Sequence, residues 1–109
     1  MKIAIPTNDG EVLFPGFKGS RGFHVTTIEE GKITHQELRW NLLSRIMTSE
    51  NGSLYNLDDC DAVIVNNIGQ CQCNRLKTGH KEILLTGQTQ INKVFGEFLN
   101  GGRNNFTSI

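Results

Sequence analysis

Within "DAVIVNNI", Asp61 to Ile68, four apolar residues run unbroken from Ala62 to Val65, and three of them are β-branched. A strand with one wet face alternates apolar and polar side chains, so a run without alternation reads as a strand covered on both faces. "EILLTG", Glu82 to Gly87, is a second run of this kind. Between them "QCNRLKTG" leaves room for about two helical turns at 1.5 Å per residue. Strand, short helix and strand in that order predict a parallel pair with a right-handed crossover.

The rest of the chain supplies strands of a different kind. "KIAIP" predicts a short first strand, and Pro6 at its end removes a ladder donor. "GFHVTTI" and "KITHQELRW" are rich in β-branched and aromatic residues, and "EEGK" between them places Gly31 for positive φ, so they predict an antiparallel hairpin. From Asn41 to about Leu57, residues Leu42, Leu43, Ile46 and Met47 stand at helical spacing before a break at "SENGS", which predicts a helix-containing crossover. Ile91, Val94, Phe95, Phe98 and Leu99 repeat at i, i+3, i+4, i+7 and i+8, with Gly101 following as a C-cap, which predicts a closing amphipathic helix. Residues 102–109 carry no pattern and are read as a loose tail.

These elements predict an α/β fold with a five-stranded mixed sheet ordered 3-2-1-4-5, strand 2 antiparallel. The expected core contains Ile3, Ile5, Val63, Val65, Leu84, Val94, Phe95 and Phe98. At 109 residues, without repeats or low-complexity blocks, the chain is read as one domain, 1–109, that needs no metal to fold. Eleven basic residues balance eleven acidic ones, which gives no field for a phosphate backbone and argues against a nucleic-acid partner. No apolar run approaches the roughly 18 residues of a membrane span, and three cysteines are an odd number for a disulfide framework. A cytoplasmic protein without a membrane partner is expected.

Chemistry concentrates in "IGQCQC", Ile68 to Cys73. In the predicted sheet the chain leaves strands 1 and 4 toward opposite sides, so a crevice opens beyond their carboxyl ends. "PTND", with Thr7 and Asn8, forms one wall, and Ile68, Gly69, Cys71 and Cys73 the other. Cys60 precedes strand 4 and should lie about 25 Å away, while His35 and His80 fall at the amino edge. His24, at the start of antiparallel strand 2, is the histidine within reach, and Arg21 flanks the same end together with Lys18, Arg75 and Lys77. Two thiols opening a helix can hold a soft metal or one edge of an iron-sulfur species, and Cys71, Cys73 and His24 are the candidate ligands. Three ligands leave such a site incomplete. Either the bound species brings its own sulfides, or two subunits meet around one site as a homodimer. The other readings are a thiol-dependent redox protein with a low-pKa Cys71, and an interaction or regulatory module whose cysteines only pack.

"MKIAIPTNDG", "FPGFKGSRGF", "EEGKI", "DAVIVNNIGQCQCNRL" and the terminal helix together resemble the dinitrogenase iron-molybdenum cofactor biosynthesis family, the small domains related to NifX and to the NifB carboxyl-terminal region. The likeness spans about Met1 to Gly101. It implies a ribonuclease H-like three-layer fold and a non-catalytic role in binding or carrying an iron-sulfur or iron-molybdenum type cluster or precursor. Cluster donor and acceptor proteins would be its partners. The residues matching the family's Pro-His-Phe-Gly stretch are Pro15, Gly16, Phe17 and Lys18, so the family histidine has no counterpart there. Ile68 and Gly69 match its Ile-Gly turn.

Overall fold

The computed structural model describes residues 1–17, 19–40 and 57–109. The crossover expected from Asn41 to about Leu57 falls almost wholly outside the described residues, as does Lys18. The elements are β1 (Lys2–Thr7), β2 (Gly22–Glu29), β3 (Lys32–Trp40), β4 (Ala62–Val65), α1 (Gln70–Thr78), β5 (Glu82–Leu85), α2 (Ile91–Gly101) and β6 (Thr107–Ser108), with a 3-10 turn at Gly102–Asn105.

The sheet is mixed and ordered β3-β2-β1-β4-β5-β6. β2 runs antiparallel to β1 and β3, while β1, β4 and β5 are mutually parallel. The expected order of the first five strands holds, but the sheet has six strands rather than five. The segment after Gly101 adds the sixth by pairing Ser108 with Leu84 and Thr107 with Leu85 on the open edge of β5. Its two residues carry no period that a sequence pattern could register; pairing with an edge already formed makes them a strand. Pro6 lies inside β1, opposite Phe23, and its carbonyl accepts from the Phe14 N–H at 2.8 Å.

The unbroken runs are explained by two cores on opposite faces. Val63 and Val65 join Ala4, Phe23, Val25, Ile83 and Leu76 under α1, whereas Ala62 and Ile64 join Ile3, Ile5, Leu84, Val94, Phe95 and Phe98 under α2. All eight expected core residues are buried. Leu99 is the apolar position of α2 that departs from the expected face, at 42% exposure. The hairpin turns through Glu30 and Gly31, both at positive φ (53° and 75°), the geometry that matches the twist of the flanking strands.

At the amino edge, Lys2 of β1 donates to Asp59 at 2.9 Å, and Arg39, whose backbone stands at the other end of β3 opposite Phe23, reaches the same carboxylate through two bonds of 2.7 and 2.8 Å. These cations hold the Asp59 carboxyl well below the usual carboxylate range. Buried Lys81 donates to the Cys60 carbonyl at 2.8 Å. The edge opposite the crevice is thus tied by charge.

Candidate functional site

β1 and β4 are neighbours and parallel, yet the chain continues from β1 to β2 and from β4 to β5. Their following loops therefore diverge, and the carboxyl edge is the switch point at which open α/β sheets place a ligand crevice. On the first wall, Thr7 is fully buried. Its Oγ1 donates to the Val12 carbonyl at 2.7 Å and accepts from the Gly10 N–H at 2.9 Å, which folds "TNDG" into a tight turn. Asn8 is exposed, and its Oδ1 accepts the Arg21 N–H at 2.8 Å, so Thr7, Asn8 and Arg21 are held together.

On the second wall, Asn66 donates through Nδ2 to the carbonyls of Thr86 and Gln88, both at 2.8 Å, and pins the end of β4 to the segment after β5. Asn66 is not among the residues expected at the site, although an asparagine pair directly after an apolar strand is the pattern of a polar strand end. Ile68 is half-buried against the α1-side core, and Gly69 caps α1 without a side-chain hydrogen bond. The first turn holds no acidic residue. Phe17 from the loop after β1 and Cys73 from α1 share one apolar cluster, so the two walls pack on each other.

The helix separates the two thiols. Residues two apart stand about 200° around an α-helix and do not share a face. Cys71 is exposed, while Cys73 is buried in the cluster with Phe17, Phe23 and Leu76. His24 is separated more completely. It pairs with Ile5 across β1 and β2, and its ring sits 5.4 Å from that of Phe95 on α2, which places it on the sheet face opposite Cys73. The expected triad of Cys71, Cys73 and His24 is therefore not brought together, because the sheet itself lies between. Among the described residues no three His, Cys, Asp or Glu side chains are grouped to hold a metal ion. Cys60 lies at the amino edge, where its neighbour Asp61 donates to the Lys2 carbonyl at 2.8 Å. His35 pairs with Thr27, which lies opposite Lys2, and His80 stands just before β5, so both also lie at that edge.

Burial, reinforced by the Asp59 carboxylate, pushes the Cys60 thiol up to about 11. That shift from an ordinary thiol lowers its reactive thiolate fraction about a hundredfold at neutral pH. A limiting dose of iodoacetamide should therefore label Cys71 first, with Cys60 and Cys73 both slow. Peptide mass spectrometry reads the order, and labelling of Cys73 alongside Cys71 would show that the first turn of α1 opens readily.

A family model for the dinitrogenase iron-molybdenum cofactor family matches residues 1–101. The crystal structure of a candidate dinitrogenase from Methanocaldococcus jannaschii is 18% identical; the alignment covers 100% of this chain and 94% of that one, with a TM-score of 0.76. The apo orange protein of Desulfovibrio gigas is 17% identical, with 99% and 92% covered and a TM-score of 0.72. For a candidate NifB protein from Thermotoga the values are 16%, 93% and 89%, and 0.70. No curated protein matches the chain. These structural likenesses establish a shared fold, and the family match covers nearly the whole length. The chain belongs to the dinitrogenase iron-molybdenum cofactor family.

Proposed function

We propose that this protein binds and carries an iron-sulfur or iron-molybdenum type cluster, or a precursor of one, in the crevice beyond β1 and β4, and performs no chemistry on it. The observation that carries this reading is the position of Cys71. Its exposed thiol stands on the first turn of α1, beside the divergent loops of the parallel pair, in a chain of this family. The N-cap of that helix is Gly69, which has no side chain to cap the turn, and a helix start favours an anionic cargo.

As folded, the protein offers one accessible thiol. A cargo that arrives with its own sulfides needs few protein ligands; Asn8, Arg21, Ile68 and Gly69 line the approach, and buried Thr7 holds the turn behind them. Cys73 becomes a second ligand if the first turn of α1 unwinds and withdraws it from Phe17 and Phe23. A homodimer sharing one site would supply a further Cys71. Donor and acceptor proteins for the cluster would meet the same open edge. The strand order with antiparallel β2 also supports the ribonuclease H-like assignment. The burial of Cys73 favours a narrower second reading for that residue alone, as a small packing side chain. A Cys71–Cys73 disulfide is disfavoured while α1 is intact, since the two side chains diverge.

Anaerobic incubation with iron and sulfide, with and without molybdate, followed by desalting, metal and sulfide analysis and an absorption spectrum, tests the reading. Retained metal with acid-labile sulfide and a visible charge-transfer band is expected. A colourless, metal-free protein after every incubation would overturn it.

A further inference from the structure

Among the described residues, α2 covers one side of its face of the sheet. Ile91, Val94, Phe95 and Phe98 pack on β1, β4 and β5, and toward β2 and β3 a cavity of about 520 Å³ remains. That volume falls within the range of small-molecule sites. Its polar lining is Glu11, His24, Gln36, Gln90 and Asn92, with Phe95 in the wall. We propose that this cavity binds a neutral, flat nitrogen heterocycle of nucleobase or nucleoside size, at a site on the sheet face opposite the one covered by α1.

His24 is the built part of the site. It is 8% exposed, its Nδ1 is 3.1 Å from the buried Thr26 hydroxyl, and its ring lies tilted at 44° against Phe95. Thr26 and Gln36 are register partners on adjacent strands, and Gln36 lines the same cavity as His24. Burial lowers the His24 pKa below the ordinary histidine value, so the ring stays neutral at pH 7, and with Nδ1 engaged by Thr26 it is Nε2 that remains for a ligand. The imidazole and the phenyl ring both reach the cavity wall and give it aromatic edges against which a planar ring can pack. Three carboxamides surround it. Each presents a donor beside an acceptor, the pattern that pairs in two bonds with the edge of a base.

Other ligand classes fit less well. Glu11 is the one charged side chain among the lining residues and repels anions. The start of α2 is also largely engaged: the Ile91 N–H donates to the Glu11 carbonyl at 2.9 Å, and the Lys93 and Val94 N–H groups to that of Gln90 at 3.1 Å. A metal ion would find no group of three ligands among the described residues. Uncharged, flat and hydrogen-bonding is the remaining chemistry.

Titration of the isotope-labelled protein with adenosine, followed by amide and imidazole NMR, tests this. Saturable shifts confined to His24, Gln36, Gln90 and Asn92 are expected. Gln36→Leu and Gln90→Leu should each weaken binding about tenfold, the loss of roughly one well-made polar contact. Both residues are exposed, and Gln90 makes no side-chain cap, so the fold should tolerate either change. Cys71→Ser should leave adenosine binding unchanged, which separates this site from the crevice. Absence of saturable shifts, shifts at other residues, unchanged affinity in both leucine variants, or a response to inorganic phosphate in place of adenosine would each overturn the proposal.

Discussion

Phe95→Ala should destabilise the protein by about 3–5 kcal/mol, whereas Leu99→Ala on the same helix should cost under about 1 kcal/mol. Phe95 is 4% exposed and packs between Ile91, Val94 and Phe98 of α2 and the strand residues Ile3, Ile5 and Ile64. Removing its ring forfeits the transfer free energy of a large aromatic group and leaves a void, and a close-packed core closes such a void only in part. Leu99, 42% exposed, is already near water. Urea unfolding of the two variants gives the comparison. Similar losses for both would mean that α2 presents a broader face to the sheet than Ile91, Val94, Phe95 and Phe98.

What the sequence disclosed follows from which interactions are local. The unbroken Ala62–Val65 and Glu82–Leu85 segments announce strands buried on both faces, and each does divide its side chains between two cores. The Glu30–Gly31 turn needs left-handed backbone, and a glycine marks it. β6 was not legible, because Thr107 and Ser108 become a strand only through the edge of β5. The candidate site was half legible. The end of each strand could be read, since alternating direction places Thr7, Asn8, Arg21 and Ile68 at one edge and Cys60 at the other. The face could not be assigned so directly. Period two does put His24 opposite Phe23 and Val25, but deciding that Phe23 faces α1 and His24 faces α2 requires knowing on which side each crossover packs. The helical period likewise separates Cys71 from Cys73 once the helix is known to begin at Gln70.

The largest functional effect should come from a single sulfur. Cys71→Ser removes the exposed thiol of the crevice and should abolish cluster uptake while leaving the urea midpoint unchanged, because an exposed side chain on a first helical turn contributes little to packing. Cys73→Ser should instead lower stability by roughly 1–3 kcal/mol, since it places a hydroxyl in the cluster of Phe17, Phe23 and Leu76. Cys60→Ser, at the far edge, should leave uptake as it is in the parent protein. The same series separates carriage from packing, as a pair of cysteines that only packed would show losses of stability and no loss of uptake. Anaerobic titration of the Cys71→Ser variant beside the parent, read as iron and sulfide retained per chain, is the most direct measurement. Retention by the parent and its loss in the variant is the predicted result; equal retention by the two would contradict a cluster site at Cys71.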